Sequence, residues 1–125
     1  MSALIIQNLD QLADALNYVE TGIFTIEEIL ESAEIQKENL SEDLITWSDS
    51  EVTKNTVESN GDYEVSIRGW EPNQEIESSG DYVFVIEGSL TNGTDNISAG
   101  SFKQADKGTK LSNGATKSIS LHIIE

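Results

Sequence analysis

The chain has 125 residues, 37% hydrophobic and 24% charged, the size and composition of one globular domain able to bury a core. Its net charge of −16 should repel nucleic acid and anionic membrane surfaces, and the absence of cysteine removes disulfides, thiolate metal sites and a cysteine nucleophile together. The charge is uneven: ten acids and one base in residues 1–43, eleven acids and two bases in 44–101, but two acids and four bases in 102–125.

The chain opens Met1-Ser-Ala-Leu-Ile-Ile-Gln, with neither a basic stretch nor an apolar run of signal-peptide length, so the expectation is a soluble protein of the cytoplasm. Leu4, Ile5 and Ile6 form an apolar arm or short strand that needs cover. Asn8 fits a helix N-cap with Gln11 three residues on, and Leu9, Leu12, Ala13, Leu16 and Val19 follow at helical spacing until Thr21-Gly22. Thr25 with Glu28 makes a capping box, and Ile26, Ile29, Leu30, Ala33 and Leu40 carry a second helix to about residue 40. The short connection predicts an antiparallel helix pair.

On that second helix Glu27, Glu31, Glu34 and Glu38 fall on one face, relieved only by Lys37. Such a row of charge could dock on a basic partner or imitate a nucleic-acid backbone; a solvated helix face is the ordinary alternative.

From Leu44 onward the pattern turns to short β runs separated by turns. The expected strands are Leu44 to Trp47, Val52 to Glu58, Tyr63 to Trp70, Tyr82 to Leu90, Ile97 to Gln104 and Lys117 to Glu125. The run Tyr82-Val-Phe-Val-Ile-Glu-Gly-Ser-Leu90 is the most apolar and suits a central strand covered on both faces. Its entry resembles that of Tyr63 to Trp70: Ser59-Asn-Gly-Asp-Tyr63 and Ser78-Ser-Gly-Asp-Tyr82 share Ser, Gly, Asp and Tyr, as two strands entered through one kind of turn would. Tyr63, Val65 and Ile67 alternate with Glu64, Ser66 and Arg68, and Ile119, Leu121 and Ile123 with Ser118, Ser120 and His122, which predicts half-buried strands with one wet face. Asn-Gly pairs at 60, 92 and 113 mark turns, and Pro72 lies in a loop. The tail, Glu87-Gly-Ser-Leu-Thr-Asn-Gly followed by Gly114 and Lys117-Ser-Ile-Ser-Leu-His-Ile, resembles the end of an immunoglobulin-like β-domain, without a diagnostic motif or a cysteine pair.

Residues that could carry chemistry are few. His122 is the one histidine, and as a general base it would need a nucleophile and an orienting acid from elsewhere, so it reads as a solvent-facing strand residue. Neither Asp49-Ser-Glu51 nor Thr94-Asp-Asn96 has the spacing of a calcium loop, and no glycine-rich phosphate loop opens a helix. No enzyme activity, cofactor or metal site is expected. Trp70 lies on the opposite phase from Tyr63, Val65 and Ile67, and Glu71-Pro72 follow it; it is expected as an exposed binding residue or as a cap on one end of the core. Phe102 to Leu111 gathers Lys103, Lys107 and Lys110, a basic segment that could meet the acidic body of a neighbouring copy.

The sequence thus predicts an α+β protein: an N-terminal arm and antiparallel helix pair in residues 1–43, then a mainly antiparallel β-sandwich-like domain in 44–125, immunoglobulin-like or a small barrel. The expected function is non-enzymatic, as a subunit of a larger assembly such as a small bacteriophage virion component, with protein partners including copies of itself. The alternative is an acidic inhibitor, such as an immunity protein, antitoxin or nucleic-acid mimic, that blocks a basic nuclease or defence enzyme. The residues expected to meet a partner are Glu27, Glu31, Glu34, Glu38, Trp70, Lys103, Lys107 and Lys110.

Overall fold

The computed structural model describes residues 4–47, 58–60 and 63–124. Helix α1 spans Leu9–Glu20, with Asn8 as its N-cap accepting from the Gln11 N–H at 2.9 Å. Helix α2 spans Ile26–Ser32 and starts with the full capping box: the Glu28 N–H bonds Thr25 Oγ1 at 3.1 Å, and the Thr25 N–H bonds Glu28 Oε1 at 3.1 Å. It ends well before residue 40. Ala33 is extended and bridges Ile6 of the N-terminal arm, the Glu34 N–H donates to the Ile6 carbonyl at 2.8 Å, and Ile6 and Ile35 are both buried. Pairing with the arm satisfies backbone groups that continued helix would otherwise have satisfied, and it buries two isoleucines as well.

The strands are β1 (Ile45–Trp47), β2 (Glu58–Asn60), β3 (Tyr63–Trp70), β4 (Glu75–Glu77), β5 (Asp81–Glu87), β6 (Ser89–Thr91), β7 (Asn96–Ser98), β8 (Phe102–Ala105), β9 (Lys110–Asn113) and β10 (Ser118–Ile124). They form two sheets. The larger has the order β1-β3-β10-β5-β8, with β2 also pairing β3; the smaller has the order β4-β9-β6-β7. All these strand pairings are antiparallel except β1 with β3.

Two expected strands are each divided between the sheets. Tyr82 to Leu90 breaks at Gly88, where φ is +82°, so β5 runs in the large sheet and β6 in the small one. Ile97 to Gln104 breaks likewise into β7 of the small sheet and β8 of the large. Strand β5 has neighbours on both sides as expected, but the middle of the large sheet is β10. The similar strands β3 and β5 flank it. The expected strand Val52 to Glu58 lies outside the described residues except for Glu58, while β4 and β9 have no counterpart among the expected strands.

Both faces of the large sheet are covered. On one face Val65, Ile67, Phe84, Ile119, Leu121 and Ile123 join Leu12, Leu16, Ile29 and Leu30 of the helices in one apolar cluster. On the other, Trp70, Val83 and Val85 meet Ile76, Leu90, Ile97 and Leu111 from the small sheet's side. The wet face expected for β3 and β10 is therefore absent: Ser66, Arg68, Ser118, Ser120 and His122 are buried between the sheets. Alternation came from two kinds of interior, one apolar and one in which buried polar side chains lie beside apolar ones.

Candidate functional site

Strand registry assembles the polar interior. Across β3 and β10, Ser118 stands opposite Trp70, Ser120 opposite Arg68 and His122 opposite Ser66. On the other flank β5 begins with Asp81, which is also buried. The outcome is a continuous hydrogen-bonded chain. The Trp70 indole Nε1–H donates to Ser120 Oγ at 2.7 Å, Ser120 Oγ lies 2.6 Å from His122 Nε2, and His122 Nδ1 lies 2.5 Å from Asp81 Oδ2. Ser78 Oγ donates to the other carboxylate oxygen, Asp81 Oδ1, and accepts from the Gly80 N–H at 3.1 Å.

The chemistry of the groups assigns the protons. An indole nitrogen only donates, so Ser120 accepts there and has its own hydroxyl proton to give to Nε2 of a neutral imidazole, whose proton then sits on Nδ1 and goes to Asp81. Each donor is used once. Beside the chain, the Arg68 guanidinium lies 5.1 Å from the Trp70 ring centroid, a cation–π contact in a site from which water is largely excluded. Ser66 Oγ is buried without a hydrogen-bond partner among the described residues.

A carboxylate, an imidazole and a hydroxyl in this order are the components of a nucleophilic triad. Here access to them is restricted. Ser120 and His122 are 0% exposed, and the serine hydroxyl is already engaged by Trp70 on one side and His122 on the other. A surface cleft of about 170 Å³, bounded by Gly80, Asp81, Tyr82, Ala105 and Lys107, touches this chain only at its carboxylate end. Among the described residues no group of three or more His, Cys, Asp or Glu side chains could hold a metal ion.

The residues singled out from the sequence lie elsewhere, and only some share a surface. Glu27 and Glu31 are on α2, Glu34 lies beyond its end with its N–H bonded to the Ile6 carbonyl, and Glu38 sits in a single 3-10 turn, Lys37–Asn39. The four-residue helical row does not form because the helix stops at Ser32. Glu27 Oε1 accepts from the Tyr82 hydroxyl at 2.5 Å. Trp70 is 0% exposed and packs in the apolar cluster between the two sheets, so it is not the exposed binding residue that Glu71-Pro72 suggested. Lys103 on β8 pairs with Asp95 at 3.8 Å and Lys110 on β9 with Glu75 at 3.8 Å, in different sheets, with Lys107 in the turn between them. The basic segment is not one face.

The residues that do come together, Ser78, Asp81, Ser120 and His122, were not predicted as a group. One signal was available. In a chain of net charge −16, the polar phase of β10 is Ser118, Ser120 and His122, with no carboxylate at all. A solvated strand face would be expected to carry some of the acid found everywhere else.

No family model and no curated protein matches the chain. Solved structures do. An uncharacterized conserved protein with a double-stranded β-helix domain from Klebsiella pneumoniae is similar at 23% identity and a TM-score of 0.51, over 67% of this chain and 85% of that one. A cupin-2 domain containing protein from Shewanella frigidimarina is similar at 17% identity and a TM-score of 0.45, over 60% and 81%. Rhodobacter sphaeroides SigE in complex with the anti-sigma ChrR matches at 17% and 0.48, over 54% of this chain and 41% of that one. The likeness to an immunoglobulin-like domain is not supported. The virion component and the acidic inhibitor are overturned as well: both rested on composition, and the fold is instead that of the double-stranded β-helix neighbour. The serines that suggested a turn-rich surface domain include Ser66, Ser78, Ser118 and Ser120, which line the interior. The two sheets, joined by strands that cross from one to the other at tight corners, are those of a double-stranded β-helix.

Proposed function

We propose that the chain is a non-catalytic binding domain whose barrel interior is closed, and that it meets other molecules, protein partners among them, from its outer surface. One observation carries this reading. His122 is fully buried with both ring nitrogens engaged, by Ser120 and by Asp81, so the only imidazole of the chain offers no free nitrogen to a substrate. The serine that would be the nucleophile is equally enclosed, on the far side of the histidine from the cleft at the Asp81 end.

Residues 1–43 and 44–125 act in this reading as one unit. Its support is that Leu12, Leu16 and Ile29 share a single apolar cluster with Val65 and Leu121.

A fluorophosphonate that reacts with activated serines tests the closed barrel directly. Whole-protein mass spectrometry after prolonged incubation should show unmodified protein. Stoichiometric labelling that disappears in Ser120→Ala would overturn the reading and make the buried array an active site that opens.

A further inference from the structure

The fold brings together two residues from opposite ends of the charge pattern. Glu31, from the acidic N-terminal part, and Lys103, from the basic segment, line one cleft of about 410 Å³ between α2 and the β7–β8 connection. They do not pair with each other: Lys103 reaches instead to Asp95 at 3.8 Å, with both side chains about half exposed. An ion pair this long and this wet contributes little, so the ammonium is cheaply redirected. The Glu31 carboxylate has no hydrogen bond or ion pair among the described residues, unlike that of Glu27, which Tyr82 holds. Phe102 and the buried Ile97 give the cleft an apolar lining, and Ser101 and Asn96 line it as well.

We propose that this cleft binds a small zwitterion of the α-amino acid class with an apolar side chain, its ammonium on Glu31, its carboxylate on Lys103 and its side chain against Phe102. Charge selects the zwitterion over simpler ions. A free anion would have to approach Glu31 within the field of a molecule of net charge −16, and a free cation would leave Lys103 facing its own sign. A neutral molecule carrying both charges satisfies both walls without working against the overall field. The volume suits a ligand of this size with room to spare, which limits how much of it is desolvated and hence how tightly it binds.

The proposal goes beyond the closed-barrel reading and fails separately from it. A reactive Ser120 would leave the cleft untouched, and a silent cleft would leave the barrel closed. The test titrates the full chain, ¹⁵N-labelled, with L-leucine, and in parallel with L-leucinamide and N-acetyl-L-leucine, which lack the carboxylate and the ammonium charge respectively. Leucine should give saturable amide shifts at Ser101, Phe102 and Lys103 with a Kd on the order of millimolar, and each derivative should bind about tenfold more weakly. Lys103→Gln should abolish the preference for leucine over leucinamide, and Glu31→Gln the preference over N-acetyl-leucine. Both side chains lie at the surface, so the variants should remain folded, as their unchanged spectra elsewhere would confirm. Absence of saturable shifts with leucine up to about 20 mM, or binding indifferent to both substitutions, overturns the proposal.

Discussion

Ser120 is the residue on which the interior between the sheets turns, because it is donor to one neighbour and acceptor from another. Replacing it with alanine removes the partner of the Trp70 indole N–H and of His122 Nε2 together, in a buried site. Each buried polar group left unpaired costs roughly 1–3 kcal/mol, so with two of them Ser120→Ala should lose about 2–6 kcal/mol of unfolding free energy in urea, with an unchanged m-value. Lys110→Ala, which removes a 3.8 Å pair between two well-exposed side chains, should give no measurable change. A Ser120→Ala loss no larger than that of Lys110→Ala would mean the chain from Trp70 to Asp81 contributes nothing to stability. At this scale the sequence was legible where a residue acts on its own neighbours: Asn8 and Thr25 cap the helices as their spacing said. His122 was illegible because its partners Ser120, Asp81 and, through the serine, Trp70 are gathered by sheet registry from three strands. Period-two alternation reports that a strand has two different faces and is silent about which of them meets water.

At the scale of elements, the corners decide the architecture. Residue preferences join Tyr82 to Leu90 in one strand because every residue but Glu87, Gly88 and Ser89 favours it; the structure turns there and hands the chain to the other sheet. Gly88 makes the turn possible in two ways. Its φ of +82° suits a residue without a Cβ, and a Cβ built there would overlap Ser118 Oγ, which itself donates to Asn113 Oδ1 at 2.6 Å. Gly93 has a similar φ of +94° but open space around the position of a Cβ. Alanine at Gly93 should therefore cost only the backbone strain, about 1–2 kcal/mol, whereas alanine at Gly88 adds a steric conflict with a buried hydrogen-bonded corner and should cost at least about 1–3 kcal/mol more. Thermal unfolding of the two variants side by side measures the difference. Equal losses would show that Ser118 moves aside freely. The helix that stops early has the same origin as the divided strands. Residues 33–40 keep a helical apolar spacing, yet Ala33 and Glu34 pair with Ile6, a contact between positions 27 residues apart that no local window contains.

Over the whole molecule, charge is the strongest influence that remains. Fold class was readable from the totals and the periodicities, since helices precede strands and the strands are short; the two-sheet closure was not, because it depends on which strand ends cross. The formal net charge is −16, with acids spread over the surface and four lysines held by carboxylates at 3.8 to 3.9 Å among the described residues. Compaction brings like charges closer, so repulsion should oppose folding, while these few exposed pairs favour it only weakly. Salt weakens both the repulsion and the pairs. The screening length falls from about 30 Å at 0.01 M to below about 10 Å above 0.1 M, and long-range repulsion is lost before contacts near 4 Å are. Sodium chloride at about 0.3 M should thus raise the melting temperature above its value at about 0.01 M, by calorimetry at neutral pH. A melting temperature that falls with salt would mean the lysine pairs outweigh the repulsion, and that the basic residues of the C-terminal part are a fixed element of the fold rather than charges free to meet a ligand such as the one proposed for Lys103.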